Sequence, residues 1–355
     1  MTKRENNMQE KLVPEIRIFV DGSKLEQKMI DKILSSKVSY SLEKSDMFVI
    51  SLNDADLKIQ NEKIFDLGQT VLIELGYNNK FSKMIEGEIV QMKYAYTSGT
   101  PITLTLIGFD KMFRLSRTKH SRSFKEIKDS EIAREIAQEL GLDSDVDATS
   151  QQFPYVFQNN QSNLDFLKER ARRIDYEVEV EENKLIFKKA RHEKREQSVD
   201  LVWEKNLMEF HPTIDATKIV SEVEVTGWSP AEKKLIKGTA KAGDEKKSIT
   251  GESGAGSLKG KFKNLDSKIF KVDIPIRTQD EADNLAHARL NQLNMEYLTG
   301  YGLAVGEPKI TAGKMINIKE IGDLINGEYY VVSSEHIFSS QGYKTYFDVK
   351  RSVFK

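Results

Sequence analysis

Three aspartates, Asp143, Asp145 and Asp147, have the alternate spacing with which a calcium-binding loop supplies its first ligands. Such a loop needs glycine at its sixth position and a bidentate glutamate at its twelfth. The sequence has Ala148 and Pro154 at those positions. We therefore interpret the segment as an acidic loop that follows a helix, and we predict no metal site here.

Other motifs for catalysis or cofactor binding are also incomplete. His192-Glu193 begins as a zinc-protease helix does, but Glu196 stands where the second histidine ligand belongs. The glycine-rich stretch 251–260 matches neither a nucleophile elbow nor a phosphate-binding loop. The sequence therefore predicts no catalytic residue, no cofactor and no enzyme activity.

The strongest basic cluster of the chain lies between residues 111 and 122. Its charges suit contact with phosphate or with the acidic surface of a protein partner, and a solvated linker face is the alternative. We predict that this cluster and the loop around Gly254 contact neighbouring proteins. The candidate interface residues are Arg114, Arg117, Lys119, Arg122, Gly254 and Gly256.

Length and composition limit the remaining possibilities. The 355 residues suffice for two to three domains. Lys and Arg total 54 against 55 Asp and Glu, and the net charge of -1 argues against a protein that coats nucleic acid. The chain has no cysteine, which excludes disulfides and thiol nucleophiles. No apolar run suits a membrane span or a secretory signal, so we expect cytoplasmic synthesis and no membrane insertion.

The first part of the chain has the period-two alternation of strands. Apolar residues alternate in five short segments: 16–20, 38–42, 48–52, 71–75 and 102–106. Several such strands between turn residues predict an antiparallel β-barrel or sandwich. We place this domain at 13–116.

The middle of the chain predicts a smaller α+β unit at 117–198. One helix should be capped by Asp129 or Ser130, and a second opens at Ser162 with Asp165 as its capping-box partner. A hairpin follows at 176–187. Three arginines alternate with the apolar stripe of the second helix, which predicts that they form an exposed face: Arg170, Arg172 and Arg173.

The last part, 199–355, predicts a second β-barrel. It contains a stretch rich in lysine and glycine at 229–268, which we interpret as a long loop. A helix is predicted at 278–299, with Thr278 and Glu281 as its capping pair. The predicted fold is therefore mainly β, with two related antiparallel β-barrels flanking a smaller α+β unit.

A weak internal repeat supports the relation between the two barrels. The segment 68–76 resembles 313–322, with Gly68 aligned to Gly313. A strand that begins Gly87-Glu88 follows the first copy, and one that begins Gly327-Glu328 follows the second. Hairpins of any origin share glycine turns and alternation, so chance similarity is the alternative. The preserved order of three elements favours two related barrels in one chain.

The middle segment carries a resemblance to a known family. Three segments resemble a signature of the hub proteins of contractile tails: the run 155–167, the Ala171-Arg172-Arg173-Ile174 that follows it and the 176–187 hairpin. That family includes phage late control protein D, the central hub of myophage tails and the hub part of the type VI secretion spike protein VgrG. The run 327–332 with the residues up to Arg351 is similar too.

The resemblance implies a homotrimer in which each subunit has two similar barrels. Three such subunits would present six barrels around one axis, and this pseudo-sixfold ring would join a hexameric tail tube to a trimeric spike. The implied partners are the tail tube or a tube initiator protein, baseplate wedge proteins and a spike. Because the chain ends soon after the second barrel, we expect the spike to be a separate chain.

We thus predict that the chain is a structural baseplate hub of a contractile phage tail or a tail-like injection particle. Its predicted location is the virion tail or the particle baseplate. Two alternatives remain. The first is a tail-associated peptidoglycan hydrolase, for which the sequence nominates no carboxylate. The second is a barrel-type module that binds glycan or nucleic acid, although the net charge of -1 gives no sign of specific nucleic-acid binding.

Overall fold

The computed structural model describes residues 13–190, 199–217, 219–229, 233–244, 252–253, 268–271 and 276–354. These residues form two compact units. Unit 1 comprises 13–38, 47–108 and 336–343, and unit 2 comprises the other described residues. The fold is mainly β, with a large antiparallel sheet, as the sequence predicts. Within the described ranges, no helix is long and apolar enough to cross a membrane.

Unit 1 is built on one sheet with two short helices. The elements that begin in it are β1 (Pro14–Val20), β2 (Ser23–Lys24), α1 (Gln27–Ile30), β3 (Ile33–Ser41), β4 (Met47–Asn53), α2 (Lys58–Asn61), β5 (Thr70–Tyr77), β6 (Lys80–Ala95) and β7 (Thr103–Phe109). The strands follow one another in the order β3-β4-β7-β6-β5-β1-β2. The short β5–β6 hairpin turns through Asn78 and Asn79, which both have positive φ, as a two-residue turn requires.

The apolar alternation read from the sequence forms the core of this sheet. Ile18, Phe48, Ile50, Val71 and Leu104 are almost completely buried, while the residues between them are more exposed. Successive side chains of a strand point to opposite faces, so one face packs inward. The strand predictions for 16–20, 48–52 and 71–75 are confirmed.

The first part of unit 2 combines helices with two small sheets. Its elements are α3 (Phe113–Ser116), β8 (Lys119–Lys128), α4 (Asp129–Glu139), β9 (Asp143–Val146), β10 (Gln152–Ser162), α5 (Asn163–Arg172), β11 (Tyr176–Glu181) and β12 (Lys184–Lys189). β8 and β10 form an antiparallel pair. β11 and β12 form the predicted hairpin, and β9 adds to β12 in parallel. Asp143 and Asp145 thus lie in a strand, which corrects the loop interpretation for these two, and Asp147 follows the strand.

The helix starts are set by local hydrogen bonds. The hydroxyl of Ser162 accepts from the backbone N–H of Asp165 at 3.1 Å, which confirms the predicted cap of α5. α4 begins one residue earlier than predicted, because the carboxylate of Glu131 accepts from the backbone N–H of Lys128 at 2.8 Å. Asp129 lies inside the helix and is buried.

The second part of unit 2 contains a further group of strands and one long helix. Its elements are β13 (Val199–Val202), β14 (Leu207–Ile214), β15 (Glu222–Ser229), β16 (Lys234–Lys241), β17 (Glu252–Ser253), β18 (Lys268–Lys271), α6 (Gln279–Asn294), β19 (Leu298–Val305), β20 (Met315–Lys319), β21 (Gly327–Ser339), β22 (Gly342–Arg351) and β23 (Val353–Phe354). Four of these strands lie in the order β14-β19-β22-β21, with β20 antiparallel to β21 and β13 parallel to β20.

Two predictions about this part are corrected. The expected long loop at 229–268 contains β16, which pairs with β15 and buries Ile236 and Ala240. Residues 230–232, 245–251 and 254–267 of that loop lie outside the described residues. Helix α6 ends at Asn294 rather than 299, because the chain enters β19 at Leu298. Its predicted cap is confirmed, since the Thr278 hydroxyl accepts from the Glu281 N–H at 3.2 Å.

The internal repeat has a common hydrogen-bond pattern in the two units. Gly68 has φ +85° and donates to the carbonyl of Ile89 at 2.8 Å. Gly313 has φ +80° and donates to the carbonyl of Val331 at 2.9 Å. Each glycine occupies the left-handed region in which a side chain is strained. Each opens a strand, β5 or β20, whose neighbours lie in the same order, β5-β6-β7 and β20-β21-β22.

The geometry corrects one detail of the sequence alignment. Val71 pairs with Gly87 in unit 1, and its counterpart Ile316 pairs with Tyr329 in unit 2. The counterpart of Gly87 is therefore Tyr329, not Gly327. Matching the shared Gly-Glu dipeptides shifts the alignment of these two strands by two residues.

Candidate partner interface

The structure places three of the predicted interface residues on the surface near the start of β8. Arg114 lies on α3, Arg117 directly follows that helix and Lys119 begins β8. All three side chains are exposed. Gly254 and Gly256 lie outside the described residues. The role of these residues in an interface stays a prediction.

Arg122 has a different environment from the other basic residues. Its Nε donates to Oε1 of Gln158 at 2.9 Å, and its Nη2 donates to Oδ1 of Asn163 at 3.0 Å. Its Nη1 forms an ion pair with Glu139. Gln158 and Asn163 are buried, so the guanidinium joins β8, β10 and both helices of the α+β part. Arg122 therefore stabilises the local fold, and its charge is balanced within the chain.

The prediction of an exposed arginine face on α5 is wrong in part. Arg172 is exposed as predicted, but Arg170 is only 4% exposed. Nε of Arg170 donates to Oδ1 of Asp129 at 2.5 Å, and this ion pair is buried on both sides. Its guanidinium carbon also lies 4.3 Å from the centre of the Phe153 ring.

Arg170 and two further arginines line a pocket that the sequence pattern does not indicate. We call it the arginine pocket. It has a volume of about 280 Å³ and lies between β10, α5 and the start of α6. Three arginines, two glutamates and aromatic side chains of β10 and α5 line it. The charged members are Arg170, Arg173, Arg277, Glu169 and Glu281.

The hydrogen bonds of the arginine pocket are incomplete. Nη2 of Arg173 binds Glu169 at 3.1 Å, and Nη1 lies 3.5 Å from Glu281. Burial lowers the pKa of Arg173, and the positive charge of Arg170 lowers it further. Among the described residues, Nη2 of Arg170 and Nε of Arg173 are buried without a hydrogen-bond acceptor. Such groups are uncommon in folded proteins and call for an explanation.

Two exposed aromatic side chains border this pocket. Tyr155 is 44% exposed and Phe157 is 48% exposed, and their rings stack with centroids 6.3 Å apart. They occupy alternate positions of β10, so they lie on one face of the strand. The pattern Tyr-x-Phe at 155–157 was visible in the sequence as a possible surface signal. The buried arginines were not, because their partners are distant in sequence.

A pair of partly buried carboxyl groups, those of Asp46 and Asp110, lies elsewhere in unit 2. Burial raises the pKa of Asp46 to about 7, and the charge of Glu179 adds to that effect. Burial also raises the pKa of Asp110 to about 8, reinforced by the charge of Asp46. The backbone N–H of Asp110 donates to the carbonyl of Asp46 at 3.0 Å. Both groups therefore hold protons in the native state close to neutral pH.

In the part of the chain that the structure describes, no three histidine or acidic side chains come together as a metal site would need. The Asp143–Val146 strand carries its acidic side chains on an extended backbone.

Comparison with solved structures identifies proteins of the same fold. The 43 kDa tail protein of prophage MuSo2 from Shewanella oneidensis has a TM-score of 0.69 and 14% identity, over 95% of this chain and 98% of that one. A tail protein from Neisseria meningitidis MC58 has a TM-score of 0.67 and 14% identity, over 96% and 97%. The chain therefore has the fold of phage tail proteins.

A third structure belongs to a secretion system. The E. coli c3393 protein is described as a component of the type VI secretion system with structural similarity to T4 bacteriophage tail proteins. It has a TM-score of 0.61 and 11% identity, over 94% of this chain and 76% of that one. A comparison with curated proteins gives no match. The model of the family described as the Alg8 N-terminal domain matches residues 10–340, and the chain therefore belongs to the Alg8 N-terminal domain family.

Proposed function

We propose that the chain is a structural hub subunit in the baseplate of a contractile phage tail or of a tail-like injection particle. It works through interfaces and not through catalysis. The fold shared with tail proteins from a prophage, from Neisseria and from a type VI secretion system supports this proposal.

The observation that carries the proposal is the repeated strand pattern. Gly68 with Ile89 and Gly313 with Val331 make the same hydrogen bond at the start of corresponding strands. A subunit with two related groups of strands supplies two similar surfaces. Three subunits then supply six, which matches a sixfold tube to a threefold spike within one closed ring. The partners would be the tube or a tube initiator protein, wedge proteins and a spike.

The exposed basic residues supply a test of the interfaces. We expect the double variant Arg114→Glu/Arg117→Glu to fold normally and to reduce the number of assembled particles at least about tenfold, because charge reversal opposes an acidic partner surface. Particles from the producing bacterium would be counted by electron microscopy, with soluble chain measured in parallel.

The matched control is Lys80→Glu/Lys93→Glu, which makes the same change in charge at two exposed residues of β6. This control should assemble at the level of the unmodified protein. Normal particle numbers in the Arg114/Arg117 variant would remove those residues from the interface. Complete particles in a strain that lacks the chain would refute the hub proposal itself.

A further inference from the structure

The arginine pocket contains donors that the described part of the chain does not use. Nη2 of Arg170 and Nε of Arg173 are buried without acceptors, and Arg170 is 4% exposed. Burying a guanidinium N–H without an acceptor forfeits its hydrogen bonds to water. A ligand whose acceptor oxygens reach these N–H groups would restore those hydrogen bonds.

The geometry of guanidinium groups selects the kind of acceptor. A planar guanidinium presents paired N–H groups that match the two oxygens of a carboxylate. Arg277 is exposed at the mouth of the pocket and adds a third positive charge. The two glutamates of the lining already accept from or approach Arg173.

The pocket also lies along an available strand edge. Among the described strands, β10 pairs only with β8. The pocket contacts Val156, which is buried on one face of β10, and Tyr155 and Phe157, which lie on the other. Contact with side chains of both faces is expected along an edge of a strand. Since β8 occupies one edge, the pocket follows the other.

An open edge with aromatic side chains beside it is suited to strand addition. Backbone N–H and C=O groups of such an edge pair with an extended segment of another chain, and flanking pockets select its side chains. The ring pair of Tyr155 and Phe157 offers apolar surface to that segment. The arginines offer a counter-charge for an acidic side chain within reach of the same strand.

We propose that the arginine pocket and the edge of β10 to which no described strand pairs bind an extended acidic peptide segment of a neighbouring protein. The segment adds as a strand to β10, and a glutamate or aspartate carboxylate enters the pocket between Arg170, Arg173 and Arg277. The proposal goes beyond the hub function and holds whether or not the chain is part of a tail.

The test uses the purified full chain and labelled heptapeptides that alternate threonine and valine, with glutamate, glutamine or lysine at the central position. Fluorescence anisotropy measures the dissociation constants. We expect the glutamate peptide to bind at least about tenfold more tightly than the glutamine peptide, and the lysine peptide to bind least. Hydrogen exchange should show slower exchange of the β10 amides that point away from β8 when the glutamate peptide is present.

Variants distinguish binding in the arginine pocket from a general effect of positive charge on the surface. Arg173→Gln/Arg277→Gln should abolish the preference for glutamate, and Arg134→Gln, an exposed arginine of α4 outside the pocket, should leave it unchanged. Should the double variant fail to fold, Arg277→Gln alone serves as the test, because this side chain is exposed and not needed for packing. This variant must weaken the binding of the glutamate peptide at least about threefold.

Several results would overturn the proposal. They are equal affinity for the glutamate and glutamine peptides, no binding of any peptide, and binding that leaves exchange of the β10 amides unchanged. Tighter binding of a single-stranded oligonucleotide at the same arginines would assign the pocket to a different ligand. None of these results bears on whether three copies of the chain assemble, so the proposed function is tested separately.

Discussion

Replacing Asp129 with alanine is expected to lower the free energy of unfolding by about 3–5 kcal/mol. Asp129 is 2% exposed and is the ion-pair partner of Arg170, which is 4% exposed. Removal of the carboxylate leaves a buried guanidinium without its counter-ion. Urea unfolding followed by circular dichroism measures the change against the unmodified chain.

A double variant distinguishes the ion pair from simple packing loss. Asp129→Ala/Arg170→Met removes both charges, so we expect it to be more stable than Asp129→Ala alone. The matched control is Glu43→Ala, which breaks the ion pair of Glu43 with Arg172 in which both side chains are more than half exposed. This control should cost less than about 1 kcal/mol. Equal effects of the buried and exposed substitutions would contradict the assigned role.

Replacing Asp46 and Asp110 together with asparagine is expected to stabilise the protein at alkaline pH. The native pKa values of about 7 and about 8 lie above the ordinary value of 3.8. Between the ordinary pKa of 3.8 and the native values of about 7 and about 8, the native state therefore binds more protons than the unfolded state. The contribution of these two groups to the stability of the unmodified chain falls as the pH rises through this range. Asparagine stays neutral and avoids this loss.

The size of this effect follows from the pKa changes. One unit corresponds to about 1.4 kcal/mol, and we expect the variant to exceed the unmodified chain by at least about 2 kcal/mol at pH 9, with little difference at pH 4. Urea titrations at both pH values measure this. The nearby Lys168, whose pKa burial lowers to about 8, is present in both proteins. A stability difference that does not change with pH would contradict the raised pKa values.

The strands were predictable because their signal is local. Val71, Ile73 and Leu75 alternate in the sequence and are completely buried in β5. The caps of α5 and α6 were predictable for the same reason, since Ser162 and Thr278 each bond three residues ahead. β16 was missed because three of its eight residues are lysine and it lies in a segment rich in lysine and glycine, although Ile236 and Ala240 keep the alternation of a strand. The division into domains at 13–116, 117–198 and 199–355 stays a prediction.

The candidate sites were harder to predict because their partners are distant in the chain. Arg170 meets Asp129 across 41 residues, and Arg173 meets Glu281 from a different helix. On a helix wheel these arginines resemble an exposed face, and only the packing of β10 and α6 buries them. The sequence likewise indicates a surface charge at Arg122, and only the structure shows its contacts with Gln158 and Asn163.

The most direct test of the hub proposal is the native mass of the purified chain by light scattering over a range of concentrations. The subunit mass is 40.6 kDa, so the proposed trimer should have three times this value, about 122 kDa. End-on images of that species should then show six similar lobes. A mass of about 81 kDa, a dimer, would contradict the account, because two subunits cannot form a ring that matches a threefold spike to a sixfold tube.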